Sequence, residues 1–107
     1  MSRPTKSIRL AVFERAGGYC ECGVCRKTIT FETGHLDHAF GRAKAAESVS
    51  NCWALAIACD ELKTSNKPSR VYWLRLFRDH CRRHRYAAEF ERAQSAIAWL
   101  KAKGLAA

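Results

Sequence analysis

The sequence predicts a small α+β domain, and three observations carry that expectation. Two segments in the second half repeat apolar residues at helical spacing. Two short stretches in the first half, one alternating and one apolar, read as strands. Ahead of them stands a knot of cysteines with the spacing of a metal-tied turn. With 107 residues the chain has room for one domain with a modest core. Apolar residues make up 48% and charged residues 27%, which excludes the disordered class. No apolar run approaches the ~20 residues that span a bilayer, so no membrane partner is expected. Met1 to Ser7 lacks the apolar core of a signal peptide, and a cytoplasmic setting is expected.

The elements follow in chain order. Ile8, Val12 and Ala16 recur every four residues over Ser7 to Ala16, a short helix stopped by Gly17-Gly18. Cys20, Cys22 and Cys25 then fall in one turn-rich knot. Reducing compartments keep thiols free, so six cysteines here point away from a disulfide framework. The two-residue gap between Cys22 and Cys25 lets one tight turn aim two thiolates at one zinc ion. Cys52 and Cys81 read instead as small buried hydrophobes. Thr28 to Phe31 alternates and is expected as a strand, turned at Glu32-Thr33-Gly34, with His35 to Phe40 as its antiparallel partner. Gly41 to Ser50 reads as a loop or marginal helix, and Cys52 to Cys59 as a further strand.

Thr64 to Ser69 is dense in turn and cap residues and introduces the clearest element, a helix over about Ser69 to Arg85. Trp73, Leu74, Leu76, Phe77, His80, Cys81 and His84 share one side of it; Arg75, Arg78, Arg82 and Arg85 share the other. His80 and His84 read as core histidines rather than ligands. A last helix, Tyr86 to Lys103, presents Phe90, Ala93, Ile97 and Leu100 and stops at Gly104. The net charge is +9, and most of it lies between Lys63 and Arg85, where eight basic residues face Asp79 alone. Such a concentration favours phosphate contacts, and nucleic acid is the expected polyanion. Lys63, Lys67, Arg75, Arg78 and Arg82 are the candidate contacts there, with Arg42 beside the chemistry-bearing segment.

That segment is His35-Leu36-Asp37-His38-Ala39-Phe40-Gly41-Arg42, followed by Asn51 and then by Cys59-Asp60-Glu61-Leu62-Lys63. An imidazole with pKa near ~6.5 suits a general base at neutral pH, and His38 is the residue placed for it. Two carboxylates, Asp37 and Asp60, offer hard oxygens to Mg²⁺ or Mn²⁺. His35 lies two residues before Asp37 and faces the same side, without a demanded role. Asp60 also reads as an N-cap of the turn Asp60 to Lys63.

In order and spacing, these pieces resemble the HNH endonucleases, a family built on a ββα-metal motif. The resemblance runs over about Ile8 to Thr64. It takes in the Arg15-Ala16-Gly17-Gly18-Tyr19-Cys20 helix end, the Asp37-His38 pair, Asn51 before an apolar strand, and the Cys59-Asp60-Glu61-Leu62-Lys63-Thr64 segment. It implies a single nuclease domain over 1–107, with a ββα core in 1–64 and a helical extension in 65–107. It also implies DNA as partner, a monomer or homodimer, and a bacterial or phage-infected cytoplasm. His38 would then activate water, Asn51 would hold the connecting loop and orient that base, and Asp37 and Asp60 would hold the cation. Two departures stand out. The family's last position is His or Asn, and here it is Asp60. Family members with a structural zinc also carry a cysteine three residues before Cys59, where this chain has Ala56. Cys22, Cys25 and Cys59 are therefore three expected ligands, with Cys20 nearest for the fourth and Cys52, Cys81 and His84 as alternatives. The competing expectation is a zinc-supported DNA-binding module with no catalysis.

Overall fold

A computed structural model describes residues 6–41 and 47–104 of the protein. Arg42 lies outside the described residues, as does the middle of the loop between Gly41 and Ser50. The elements are α1 (Lys6–Ala16), β1 (Gly34–His38), β2 (Cys52–Ala56), α2 (Ile57–Thr64), α3 (Arg70–His84) and α4 (Ala87–Ala102). The class is α+β: four helices and one two-stranded antiparallel sheet among the described residues. No described helix is long and apolar enough to cross a membrane. The chain divides into two compact units, Met1–Asp60 and Glu61–Ala107, with the boundary inside α2.

In the first unit, α1 packs on β2 with Val12 fully buried. The helix stops where Gly17 turns left-handed at φ 62°, a conformation that costs other residues energy. Thr28–Phe31 does not form the expected strand, and β1 pairs with β2 instead, Gly34 opposite Ala56 and His38 opposite Cys52. The physical reason lies in contacts far along the chain. Ile29 donates its amide to the Gly18 carbonyl at 2.9 Å, and Thr28 bridges Tyr19. Phe31 is drawn onto α1, edge-on to Phe13 at 5.5 Å and under the Arg9 guanidinium at 4.5 Å. The hydroxyl of Thr30 accepts the Glu32 and Thr33 amides at 3.2 Å, making a turn where a strand was expected. The apolar run from Cys52 also divides, as strand to Ala56 and as helix from Ile57. Asp60 therefore sits inside the first turn of α2, favourably for the helix dipole, and is not its N-cap.

β1 is held close beneath α1 at Gly34, which is buried. A Cβ there would stand 2.8 Å from the Phe13 ring and 3.2 Å from Ile29. Replacing Gly34 with Ala is expected to cost about 1–3 kcal/mol through overpacking, read as a lower midpoint in chemical denaturation.

In the second unit, α3 and α4 pack against each other. Ser69 caps α3, its hydroxyl accepting the Tyr72 amide at 3.1 Å, and Arg85 closes the helix in the left-handed region at φ 62°. Val71, Trp73, Leu74, Phe77, His80 and Cys81 form the buried face, close to the expected stripe. His80 is fully buried with its ring stacked on Phe77 at 5.5 Å.

Candidate metal centre and the end of strand β1

Cys20, Cys22, Cys25 and Cys59 bring their sulfurs within 4.8 Å of one another. Four thiolates at ~2.3 Å from one tetrahedral ion stand ~3.8 Å apart. Cys22 and Cys59, 37 residues apart in sequence, already lie at 4.0 Å. All six cysteines are free thiols, and Cys52 and Cys81 are fully buried and not members of this group. The cluster could hold a metal ion such as zinc, and its fourth member is Cys20.

The polypeptide is arranged around the sulfurs. Gly23, left-handed at φ 84°, lets the chain double back between Cys22 and Cys25. The Val24 and Cys25 amides point at the Cys22 sulfur at 3.5 and 3.4 Å, and the Lys27 amide at that of Cys25, 3.4 Å away. Ala56, which stands where the resemblance would put a further cysteine, contributes its amide instead, donating to the Cys20 sulfur at 3.3 Å. The Cys20 thiol bonds to Cys22 and, with those two amides, brings Cys22 down to about 5, in the thiolate form. Cys20 is driven up by the same bond, and burial pushes Cys59 up to about 12.

Glu21, between the two cysteines, docks the knot on the sheet. Its carboxylate is buried and accepts from Arg15 Nε at 2.8 Å, Arg15 Nη2 at 2.7 Å and the Ala54 amide at 2.9 Å. Its own amide donates to the Ala54 carbonyl at 2.8 Å. Arg15 also reaches the Val49 and Cys52 carbonyls at 2.7 and 2.9 Å. A buried ion pair endures when its remaining donors and acceptors are satisfied in this way. The clamp left no signal in the sequence, where Arg15 reads only as part of the helix end and no periodicity or spacing ties it to Glu21.

The second feature is the C-terminal end of β1. Successive strand residues face opposite ways, so His35 and Asp37 share one face and His38, the last residue of β1, takes the other. Asp37 accepts a hydrogen bond from the indole of Trp53, its cross-strand partner, at 2.8 Å. His35 Nδ1 lies 2.8 Å from Asp60 Oδ2, so the first turn of α2 reaches the β1 face that carries Asp37. No described group of three or more His, Cys, Asp or Glu ligand atoms within 4.8 Å includes Asp37, His38 or Asp60.

His38 Nε2 is paired with the Glu47 carboxylate, and both side chains are mostly buried, at 14% and 19% exposure. Asn51 holds the chain that leads into β2. Its side-chain oxygen accepts the Ser48 amide at 3.0 Å, and its carbonyl accepts the Ala39 amide at 3.0 Å. A pocket of about 10 Å³ lined by His38, Phe40, Gly41 and Asn51 has room for roughly one water.

The expected phosphate track is partly engaged within its own helical hairpin. Arg78 donates to Gln94 at 3.0 Å and to Asp79 at 3.3 Å. Arg82 is exposed, 3.8 Å from Asp79, with its guanidinium over the Phe90 ring. Lys67 is exposed, and Arg75 and Lys63 are half-buried.

Comparison with protein-family models, with curated proteins and with solved structures returns no match.

Proposed function

We propose that the protein is a metal-dependent DNA endonuclease of the ββα-metal type, supported by a structural zinc on Cys20, Cys22, Cys25 and Cys59. The observation that carries this reading is the β1–β2–α2 order with the 2.8 Å contact between His35 and Asp60, which joins a carboxylate from α2 to the strand face of Asp37. The donor chemistry fits. Mg²⁺ and Mn²⁺ favour hard oxygens and need only one or two carboxylates, with water and phosphate oxygens completing the shell. Asp37 and Asp60 would hold such an ion, which when bound supplies positive charge to the scissile phosphate and the leaving oxygen.

His38, at the end of its strand beside a water-sized pocket, takes a proton from the attacking water. The water oxygen then bonds to phosphorus as one phosphorus–oxygen ester bond breaks, and the leaving alkoxide is protonated from solvent. Asn51 holds the connecting loop beside that base. Lys63, Lys67, Arg75 and Arg82 offer charge to the DNA backbone, with Arg78 partly committed to Gln94, and Arg42 follows the site in sequence.

A second reading, a zinc-supported DNA-binding module without chemistry, is favoured by one observation: Asp60 is tied to His35 and Asp37 to Trp53. The Asp60→Asn variant separates the two. The nuclease reading expects cleavage to persist with the half-maximal Mg²⁺ concentration raised roughly tenfold, because one ligand charge is lost. Plasmid binding with no Mg²⁺- or Mn²⁺-dependent cleavage by the wild-type protein contradicts it.

A further inference from the structure

We propose that Glu47 is a positioning residue for His38, fixing the tautomer and direction of the imidazole that takes the water proton; this rests on the nuclease reading above. Glu47 is paired with His38 Nε2, nine residues away in sequence, and neither side chain is well exposed. A carboxylate facing one ring nitrogen keeps the proton on that nitrogen, so Nε2 is the N–H and Nδ1 the acceptor. The same carboxylate stabilises the imidazolium that forms when Nδ1 takes the proton.

On its C-terminal side Glu47 adjoins a hydrogen-bonded turn. The Ser48 amide donates to Asn51 Oδ1 at 3.0 Å, and the Asn51 amide donates to the Ser48 hydroxyl at 3.2 Å. The Asn51 carbonyl accepts from Ala39, the residue after His38, at 3.0 Å. Asn51 thus acts on the base through Ser48 and Glu47, and the four residues form one chain of support around the water-sized pocket that His38 and Asn51 line. Glu47 does not touch substrate in this account. It holds the group that does.

The test is a plasmid-cleavage series with Mg²⁺, comparing the full-length wild-type chain with Glu47→Gln, Glu47→Asp, His38→Ala and the Glu47→Gln/His38→Ala double variant. The expected result is a roughly 10- to 100-fold lower kcat for Glu47→Gln with KM for DNA unchanged. Glu47→Asp, which keeps the carboxylate, recovers part of that loss. The double variant is no slower than His38→Ala alone, since Glu47 acts only through His38. Glu47→Gln within about twofold of wild type while His38→Ala is inactive overturns the role of Glu47 and leaves the nuclease reading standing. A further drop in the double variant overturns it equally, and wild-type protein that binds but never cuts removes the nuclease reading itself. Should Glu47→Gln fold poorly, Glu47→Asp carries the comparison: a partial loss that falls on kcat supports the role, and a wild-type rate or a loss confined to KM contradicts it.

Discussion

Stripping metal from the four-cysteine cluster is expected to unfold the unit that carries the strand-end site. Val12, Ile29, Trp53 and Leu55 are the only large apolar side chains buried there among the described residues; the other buried positions are mostly Ala and Cys. So small a core stabilises a fold only marginally without a staple. Structural zinc in comparable small sites contributes about 10–16 kcal/mol, against a total stability of about 5–15 kcal/mol for a typical domain. The ion would join the knot after α1 to Cys59 on α2, closing a loop that contains the whole sheet. Cys59→Ser should therefore lose bound zinc and the dispersed amide signals of residues 6–60. Cys52→Ala, which removes a buried thiol outside the cluster, should keep about one zinc per chain. Elemental analysis and an amide correlation spectrum read both outcomes. Retention of the folded spectrum after complete chelation contradicts a structural role for the cluster.

Replacing His38 with Ala is expected to slow cation-dependent DNA cleavage by ~10²–10⁴-fold, the usual contribution of a positioned general base. The loss should fall on kcat, because no part of the proposed DNA-binding charge is removed. Deleting the imidazole also leaves the mostly buried Glu47 carboxylate without its partner, at a cost of about 1–3 kcal/mol in stability. Thermal unfolding of the variant measures that cost separately. A folded variant that cuts at the wild-type rate removes His38 from the mechanism.

The four-cysteine cluster was the most legible feature of the sequence. The spacing of Cys22 and Cys25 is local chemistry, and a tight turn needs nothing from the rest of the chain. Its fourth member was not legible, because Cys20 is selected by the Ala56 amide and by the clamp of Glu21 on β2, both contacts across more than 30 residues. Helices α3 and α4 were readable from periodicity and caps, since Ser69 and the apolar stripe act within a few residues of themselves. The pairing of β1 was not. Alternation marks a strand but does not name its partner, and Thr28–Phe31 is claimed by Gly18, Thr30 and Arg9 instead of by β1. Glu47 left no signal at all, lying in a polar stretch that Ser48, Asn51 and Arg15 organise through contacts among the described residues. The arginine stripe was visible as geometry, but the use of Arg78 on Gln94 needs α4 in place.

Nuclease and binding module are told apart by the conversion of supercoiled plasmid to nicked or linear DNA by the zinc-loaded protein, with and without Mg²⁺ or Mn²⁺, beside His38→Ala from the same preparation. Cleavage by the wild-type protein should require the added cation and should be at least ~10²-fold slower in the folded variant. Equal cleavage by both proteins, or binding without cleavage under either cation, contradicts the nuclease reading.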